Sequence, residues 1–232
     1  KADHLLETES PLLKPLSGGV SSDIYLVQDG YRKFVVKQAL EKLKVEADWF
    51  ADTSRNEAER KYIEYVGRIS PESVPRVIFA GDGYFAMEYL GEGFVNWKQA
   101  MLAGRFEVDW AAKAGKLLGD IHRTSQGDSK LAAEFSNMES FWQLRIDPYL
   151  VTTGSKHPDL KKRFEEEAER LRTEASALVH GDFSPKNILV SQDRLVLLDC
   201  EVACYADPAF DLAFLFTHLF LKVLYHKQHF GE

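Results

Sequence analysis

Short apolar runs separated by turn residues fill the first third of the chain, and helical spacing dominates the remainder. Leu12 to Leu16 reads as a first strand. The small residues Ser17-Gly18-Gly19-Val20-Ser21-Ser22-Asp23 turn it into a second, Ile24 to Gln28. Asp29-Gly30, a strong hairpin signal, leads to a third, Arg32 to Gln38. A helix follows, with Ala58, Tyr62, Tyr65, Val66 and Ile69 at helical spacing and Ser54-Arg55-Asn56-Glu57 readable as a capping box. Val74-Pro75-Arg76-Val77 leads into a further strand, which Gly81-Asp82-Gly83 turns back into Tyr84 to Gly91. The composition of Gly91-Glu92-Gly93 marks a boundary, dividing residues 1–90 from residues 91–232.

Beyond that boundary Trp110, Ala114, Leu117, Leu118 and Ile121 form one apolar stripe, and Leu160, Phe164, Ala168 and Leu171 another. The charges from Lys161 to Glu169 read as a solvated helix face. The pair Leu178-Val179 then runs into His180-Gly181, where glycine permits a sharp turn. Pro185 keeps the following loop from becoming a helix. Asn187 to Ser191 reads as a strand that turns at Gln192-Asp193-Arg194 and returns as Leu195 to Leu198. The last helix, Leu212 to Leu224, is apolar on nearly every side but too short for a membrane span, which needs about 20 apolar residues. Such a helix should be buried. Only eight residues follow it, so the natural chain is expected to continue beyond Glu232, or the helix to pack against a second subunit in a homodimer.

Composition narrows the function classes. In 232 residues, 45% hydrophobic and 28% charged content is that of an ordinary globular protein. The net charge of -7 argues against nucleic acid as the main partner, because phosphate backbones need a basic face. Two cysteines, Cys200 and Cys204, make neither a disulfide scaffold nor a zinc site and fit a reducing cytoplasm. They read as small core residues. The chain begins at Lys1 with no apolar signal segment.

The chemistry concentrates between Val179 and Glu201. Asp182 stands five residues before Asn187 on a short loop, and a second aspartate, Asp199, follows twelve residues later at the end of an apolar strand. The hairpin between them brings Asn187 and Asp199 together. Mg²⁺ requires hard oxygen ligands, typically one or two carboxylates plus substrate phosphates, and an asparagine carbonyl with carboxylates suits it. Asp182, apart from the metal, is left to orient a hydroxyl and accept its proton.

His180-Gly181-Asp182-Phe183-Ser184-Pro185-Lys186-Asn187 followed by Asp199 resembles the catalytic loop and metal segment of the protein-kinase-like superfamily. The glycine after the histidine, and Asp199-x-Glu201 in place of Asp-Phe-Gly, resemble its small-molecule branch, the aminoglycoside phosphotransferase and choline kinase family. An activation segment ending in Ala-Pro-Glu, which a protein kinase needs, is absent from the sequence. Val36-Lys37-Gln38-Ala39-Leu40, Lys44-Val45 and Asp48-Trp49 are similar to the text after the nucleotide lysine in methylthioribose kinases. The resemblance covers most of residues 12–224.

It implies an α+β, bilobal protein-kinase-like fold, with an antiparallel sheet and one main helix in the N-lobe and a mostly helical C-lobe. It also implies an ATP- and Mg²⁺-dependent phosphotransferase acting on the hydroxyl of a small molecule, without nucleic-acid or membrane partners. Lys37, aimed by Glu59, and the Gly18-Gly19 turn would hold the triphosphate. Glu59 is chosen over Glu57 because it stands seven residues before the apolar Val66. Met87 would line the base pocket, with backbone groups of Glu88 and Leu90 at the base edge. Asn187, Asp199 and Glu201 would hold the metal, and Asp182 would orient the hydroxyl. His122 reads as a packed or capping histidine, and Asp211, in Asp207-Pro208-Ala209-Phe210-Asp211, as a bond to backbone around the catalytic loop. Ser22 stands where relatives often carry asparagine. The substrate stays open among thioribose, aminoglycoside, choline, homoserine and fructosamine types, and a nucleotide-binding module without turnover is the alternative from another class.

Overall fold

Gly30, with φ +61°, turns one strand back on the next and sets the register of the sheet built around it. The computed structural model describes residues 5–16, 22–40 and 55–226. Gly18, Gly19, the proposed capping residue Ser54 and the segment from Lys44 to Trp49 lie outside these. The chain divides into two compact units, residues 1–93 and 94–232.

The first unit carries an antiparallel sheet of β1 (Leu12–Pro15), β2 (Ser22–Asp29), β3 (Arg32–Ala39), β4 (Val77–Ala80) and β5 (Tyr84–Glu88), in the order β1-β2-β3-β5-β4. β3 is buried on both faces, by Phe34 on one and by Val35 and Lys37 on the other, and Val27, Phe34 and Ala86 form a core that Leu5 and Leu6 cover. Asp29 accepts hydrogen bonds from the Glu7 and Thr8 N–H groups and the Thr8 hydroxyl, fastening the preceding segment to the hairpin.

Helix α1 (Arg55–Ile69) packs on β3, β4 and β5. Its buried face holds Tyr62, Ile63, Tyr65 and Val66 together with the polar Arg55, Asn56 and Glu59, whereas Ala58 and Ile69 are half-buried. The apolar stripe read from sequence therefore omits the three polar members of this face and, with them, Ile63.

The second unit begins with β6 (Val95–Asn96), α2 (Trp97–Leu102), α3 (Val108–Ser125), α4 (Ser129–Glu134) and α5 (Met138–Phe141). A π-helical segment, Trp142–Val151, follows, and then α6 (Thr152–Lys156) and α7 (Lys161–Thr173). Next come β7 (Ala177–Val179), β8 (Ile188–Val190), β9 (Leu195–Leu197), β10 (Cys204–Ala206) and α8 (Ala209–Tyr225). β10 pairs with β7, and β8 lies between β6 and β9.

The core between α7 and β7 is built from Phe141, Ile146, Ala168, Leu171, Val179, Cys204 and Ala206, with the Phe210 ring edge-on to Phe141 at 4.7 Å. Ser125, at the end of α3, accepts from the Leu178 N–H, and the Tyr205 hydroxyl donates to the Ser125 and Ser176 carbonyls, locking α3 to the β7–β10 pair. Burial and the neighbouring Asp211 push the Cys204 thiol far above its usual range, so it packs and does not react.

Three local expectations are corrected here. Asn187 does not open a strand: Pro185–Asn187 forms one 3₁₀ turn, since proline presets φ for a first helical position, and β8 starts at Ile188. Leu160 precedes α7 and is exposed, so the buried stripe there consists of Ala168 and Leu171. Helix α8 is not buried all round, because the rest of the described unit covers only one side of it. Phe216, Phe220, Leu221 and Leu224 are exposed, while Asp211, Phe214, Leu215 and Lys222 are buried.

Phe141→Ala is expected to cost about 3–5 kcal/mol of stability, read as a lower midpoint in urea denaturation, because the ring is fully buried at the centre of this core.

Candidate active site

In the first unit, Lys37 points from β3 into the space beneath α1. Its Nζ lies 2.8 Å from Glu59 Oε1 and 2.8 Å from Oε2, and the two side chains are only 3% and 2% exposed. The Asn56 amide donates to the Lys37 carbonyl at 3.2 Å, fixing the backbone on which the lysine stands. Glu57, by contrast, is exposed and pairs with Lys61 at 2.9 Å. Met87 is buried opposite Val35 on β3 and Val77 on β4. The Glu88 N–H donates to the Arg76 carbonyl at 2.9 Å, and Leu90 lies half-buried beyond the strand end.

In the second unit, β7 delivers the chain into a loop that is buried almost throughout. Gly181 has φ +76°, and a Cβ there would lie 2.8 Å from Val202 Cγ2 and 2.9 Å from the Val202 carbonyl oxygen, so both the conformation and the space demand glycine. Its N–H donates to Asp211 Oδ1 at 2.9 Å, and the His180 N–H donates to Oδ2 at 2.7 Å. His122 Nε2 lies 3.2 Å from the same Oδ2. Asp211 thus bonds backbone around the loop, with His122 packed behind it.

His180 is fully buried, and its Nδ1 accepts the Asp182 N–H at 3.2 Å, which puts the ring proton on Nε2. Burial holds its pKa below the ordinary value, against the pull of Asp211, Asp182 and Asp199.

Asp182 is 6% exposed, and Asn187 at the far end of the loop donates its Nδ2 to the Asp182 carbonyl at 3.1 Å. That bond fixes which way the amide faces and turns its other polar atom, Oδ1, away from this contact. Two cations meet the Asp182 carboxylate: Arg145 Nη2 at 2.9 Å and Lys186 Nζ at 3.4 Å from Oδ2. Arg145 also donates Nε to the Gly181 carbonyl at 2.6 Å and Nη1 to the Leu144 carbonyl at 2.7 Å. Sequence reasoning missed Arg145. The available signal was a charged residue between the buried Leu144 and Ile146, where a cation needs a partner.

The β8–β9 pair sets Asn187 against the strand that leads to Asp199, with the Leu198 N–H bonded to the Asn187 carbonyl at 2.9 Å. Asp199 adopts φ +59°, and it alone among the described non-glycine residues has positive φ. Backbone strain of this kind collects at functional positions, where the surroundings hold it. Glu201 follows in the next turn, 8% exposed. Asn187, Asp199 and Glu201 together offer only oxygen donors. Among the described residues no three His, Cys, Asp or Glu side chains form a metal cage of their own.

Residues 12–223 match the sequence profile of the phosphotransferase enzyme family, and the chain belongs to that family. It is similar to a methylthioribose kinase of Geobacillus kaustophilus (strain HTA426), 27% identical over 231 residues that cover 87% of this chain and 58% of the relative. The chain therefore spans little more than half the length of that curated relative. Among solved structures it is similar to the streptomycin-ATP-APH(2")-IIa ternary complex, with TM-score 0.52, 21% identity and coverage of 86% of this chain and 69% of that one. An amicoumacin kinase in complex with AMP-PNP and Ca²⁺ matches with TM-score 0.57 and 15% identity over 90% of this chain and 64% of that one. The fold is the α+β, protein-kinase-like fold of these neighbours, and no described helix is long and apolar enough to cross a membrane.

Removing one member of a buried ion pair strands the other charge, at about 3–5 kcal/mol. Glu59→Gln and Lys37→Met are each expected to lose stability on that scale. The double variant is expected to lose less than the sum, as measured by a urea double-mutant cycle.

His180 generates a pH prediction. A base whose folded pKa is depressed binds its proton more readily unfolded, so stability is complete above about pH 6.5 and falls as pH drops through that value. Melting temperatures from about pH 8 to 5 should decline in the wild type, and His180→Asn, which keeps an acceptor for the Asp182 N–H, should remove up to about 1.4 kcal/mol per pH unit of that slope.

Proposed function

We propose that this chain is an ATP- and Mg²⁺-dependent small-molecule kinase, or the greater part of one, which moves the γ-phosphoryl group of ATP to a hydroxyl. The observation that carries the reading is the loop from His180 to Asn187, which fixes a buried carboxylate at one position and an oriented amide five residues on. Transfer of this kind depends mainly on positioning and charge neutralisation, and a loop held by backbone bonds on both sides suits it.

The first unit supplies the nucleotide groups. Lys37, held by Glu59, meets the α and β phosphates, and Gly18 and Gly19, outside the described residues, are proposed from the sequence alone to add backbone N–H groups. Met87 lines the base pocket, with the backbone of Glu88 and Leu90 at the base edge. Leu90 contributes its N–H, since that of Glu88 is donated to Arg76.

The second unit supplies the metal and acceptor groups. Asn187 through Oδ1, Asp199 and Glu201 would hold Mg²⁺, and their oxygen-only donor set fits a hard cation completed by phosphate oxygens and water. When bound, the ion neutralises phosphate charge. Asp182 orients the acceptor oxygen and takes its proton, while Arg145 and Asn187 keep its loop in place. The family supports acceptors of the thioribose, aminoglycoside, choline, homoserine and fructosamine kinds.

Asp182→Asn is expected to lower turnover by about 10²–10⁴ while leaving ATP affinity unchanged. Coupled ADP release over that acceptor panel, beside nucleotide titration, makes the measurement, and a variant with wild-type turnover would sink the assignment.

A further inference from the structure

Helix α8 turns Asp211, His218 and Lys222 inward and much of its apolar surface outward. Asp211, His218 and Lys222, spaced by seven and four residues, stand on one face with Leu215. Lys222 is 8% exposed, while its neighbours Leu221 and Val223 are 54% and 36% exposed. A lysine is almost never buried without a partner that meets its charge. Here Lys222 Nζ lies 3.1 Å from His218 Nδ1, and among the described residues no carboxylate is within ion-pair reach of it. The ammonium donates to Nδ1, which leaves His218 Nε2 carrying a proton to give.

The surroundings of this pair are cationic. Helix α2 packs on α8 and on the Pro185–Asn187 turn. Asn96, capping α2, donates its Nδ2 to the Lys186 carbonyl at 2.6 Å, which ties the first turn of α2, where Lys98 stands, to the loop that carries Lys186. Lys186 and Arg145 both contact Asp182. His218 has its pKa lowered by burial and then by Lys222, with Asp182 opposing and Lys186 and Lys98 adding to the depression. Lys222 is likewise lowered by burial and by Lys98. Arg145 and Lys186 thus both meet the Asp182 carboxylate, and Lys98 and Lys222 add positive charge beside His218, in a chain whose net charge is -7. Asp211, the nearest other acid on α8, is already occupied by two backbone N–H groups.

We propose that Lys98, Arg145, Lys186, His218 and Lys222 form a subsite for an anionic group, a carboxylate or a phosphate monoester, carried by the acceptor molecule. The acceptor class is then a hydroxy acid or a phosphorylated polyol, in preference to a neutral sugar or a cationic amine. Arg145, committed to the Gly181 and Leu144 carbonyls and to Asp182, adds its positive charge to the site, and a bound anion would offset the burial of Lys222. The proposal rests on the phosphotransferase reading of Asp182 only for the word acceptor; the anion site itself stands on the cation geometry.

Its test has two arms on the full chain. In the first, melting temperature is followed in inorganic phosphate and in acetate against chloride at equal ionic strength, for wild type and for Lys222→Met, Lys98→Met and Lys162→Met. Phosphate, acetate or both should raise the wild-type value. Lys222→Met and Lys98→Met should lose most of that rise and Lys162→Met, an exposed lysine of α7, should keep it. Which anion raises it tells the two chemistries apart.

In the second arm, ADP release is compared for glycerol, glycerate and glycerol 3-phosphate, for ribose and ribose 5-phosphate, and for choline. The anionic member of each pair should show at least about tenfold higher kcat/KM, and Lys222→Met and Lys98→Met should lower that preference about 10- to 100-fold. Preference for neutral or cationic acceptors, or an anion effect untouched by both lysine variants, overturns the subsite while leaving the kinase reading intact. An anion-dependent rise lost in the lysine variants, with no ADP from any acceptor, supports the subsite and counts against the kinase reading.

Discussion

Two adjacent backbone N–H groups, those of His180 and Gly181, are buried where no water can serve them, and one carboxylate satisfies both. An unpaired buried donor costs about 1–3 kcal/mol, so the placement of Asp211 is a condition for the loop to exist in this form. Much else follows from it. Helix α8 must begin where its first turn reaches the loop. Position 181 must be glycine, because the chain passes against Val202 with positive φ. With its N–H committed to Asp211, the Gly181 peptide offers its carbonyl to Arg145, and Arg145 in turn reaches the Asp182 carboxylate. One chain of bonds therefore runs from α8 to the carboxylate that the proposed chemistry needs.

The two units solve the same problem in different ways. In the first, a lysine and a glutamate are buried together and neutralise one another. Such a pair is poor evidence of net stabilisation, since desolvation can cancel the attraction; its value is that the ammonium has one defined position. In the second, the Asp182 carboxylate is held by two cations, Arg145 and Lys186. The first arrangement fixes the direction of an ammonium and the second fixes that of a carboxylate.

How much of this was legible in the sequence depends on how local each signal is. The hairpin at Asp29-Gly30, the spacing from Asp182 to Asn187 and the reach from Lys37 to Glu59 could be read because turn chemistry and a motif tie them to short stretches of chain. Arg145 could not be read that way. It stands in a π-helical segment, whose side-chain spacing matches neither 3.6 nor 2 residues, and its partner lies 36 residues away. Helix α8 misled for another reason. Its composition is so apolar that periodicity carries no direction, and three polar positions, Asp211, His218 and Lys222, decide which face turns inward. Arg55, Asn56 and Glu59 on the buried face of α1 make the same point, since hydrophobic spacing overlooks polar residues that are buried because they have partners.

The π-helical segment Trp142–Val151 also bears on how this chain can vary. A π turn accommodates about one more residue than an α turn, so the segment holds Arg145 by its length as much as by its residue types. Dropping a single residue ahead of Arg145 would turn its position about the helix axis by about 100°, away from the Gly181 carbonyl it now meets. Insertions and deletions across this stretch therefore act as a dial on the Asp182 environment. Relatives that differ here by one residue are expected to surround that carboxylate with different neighbours even where their catalytic loops read alike.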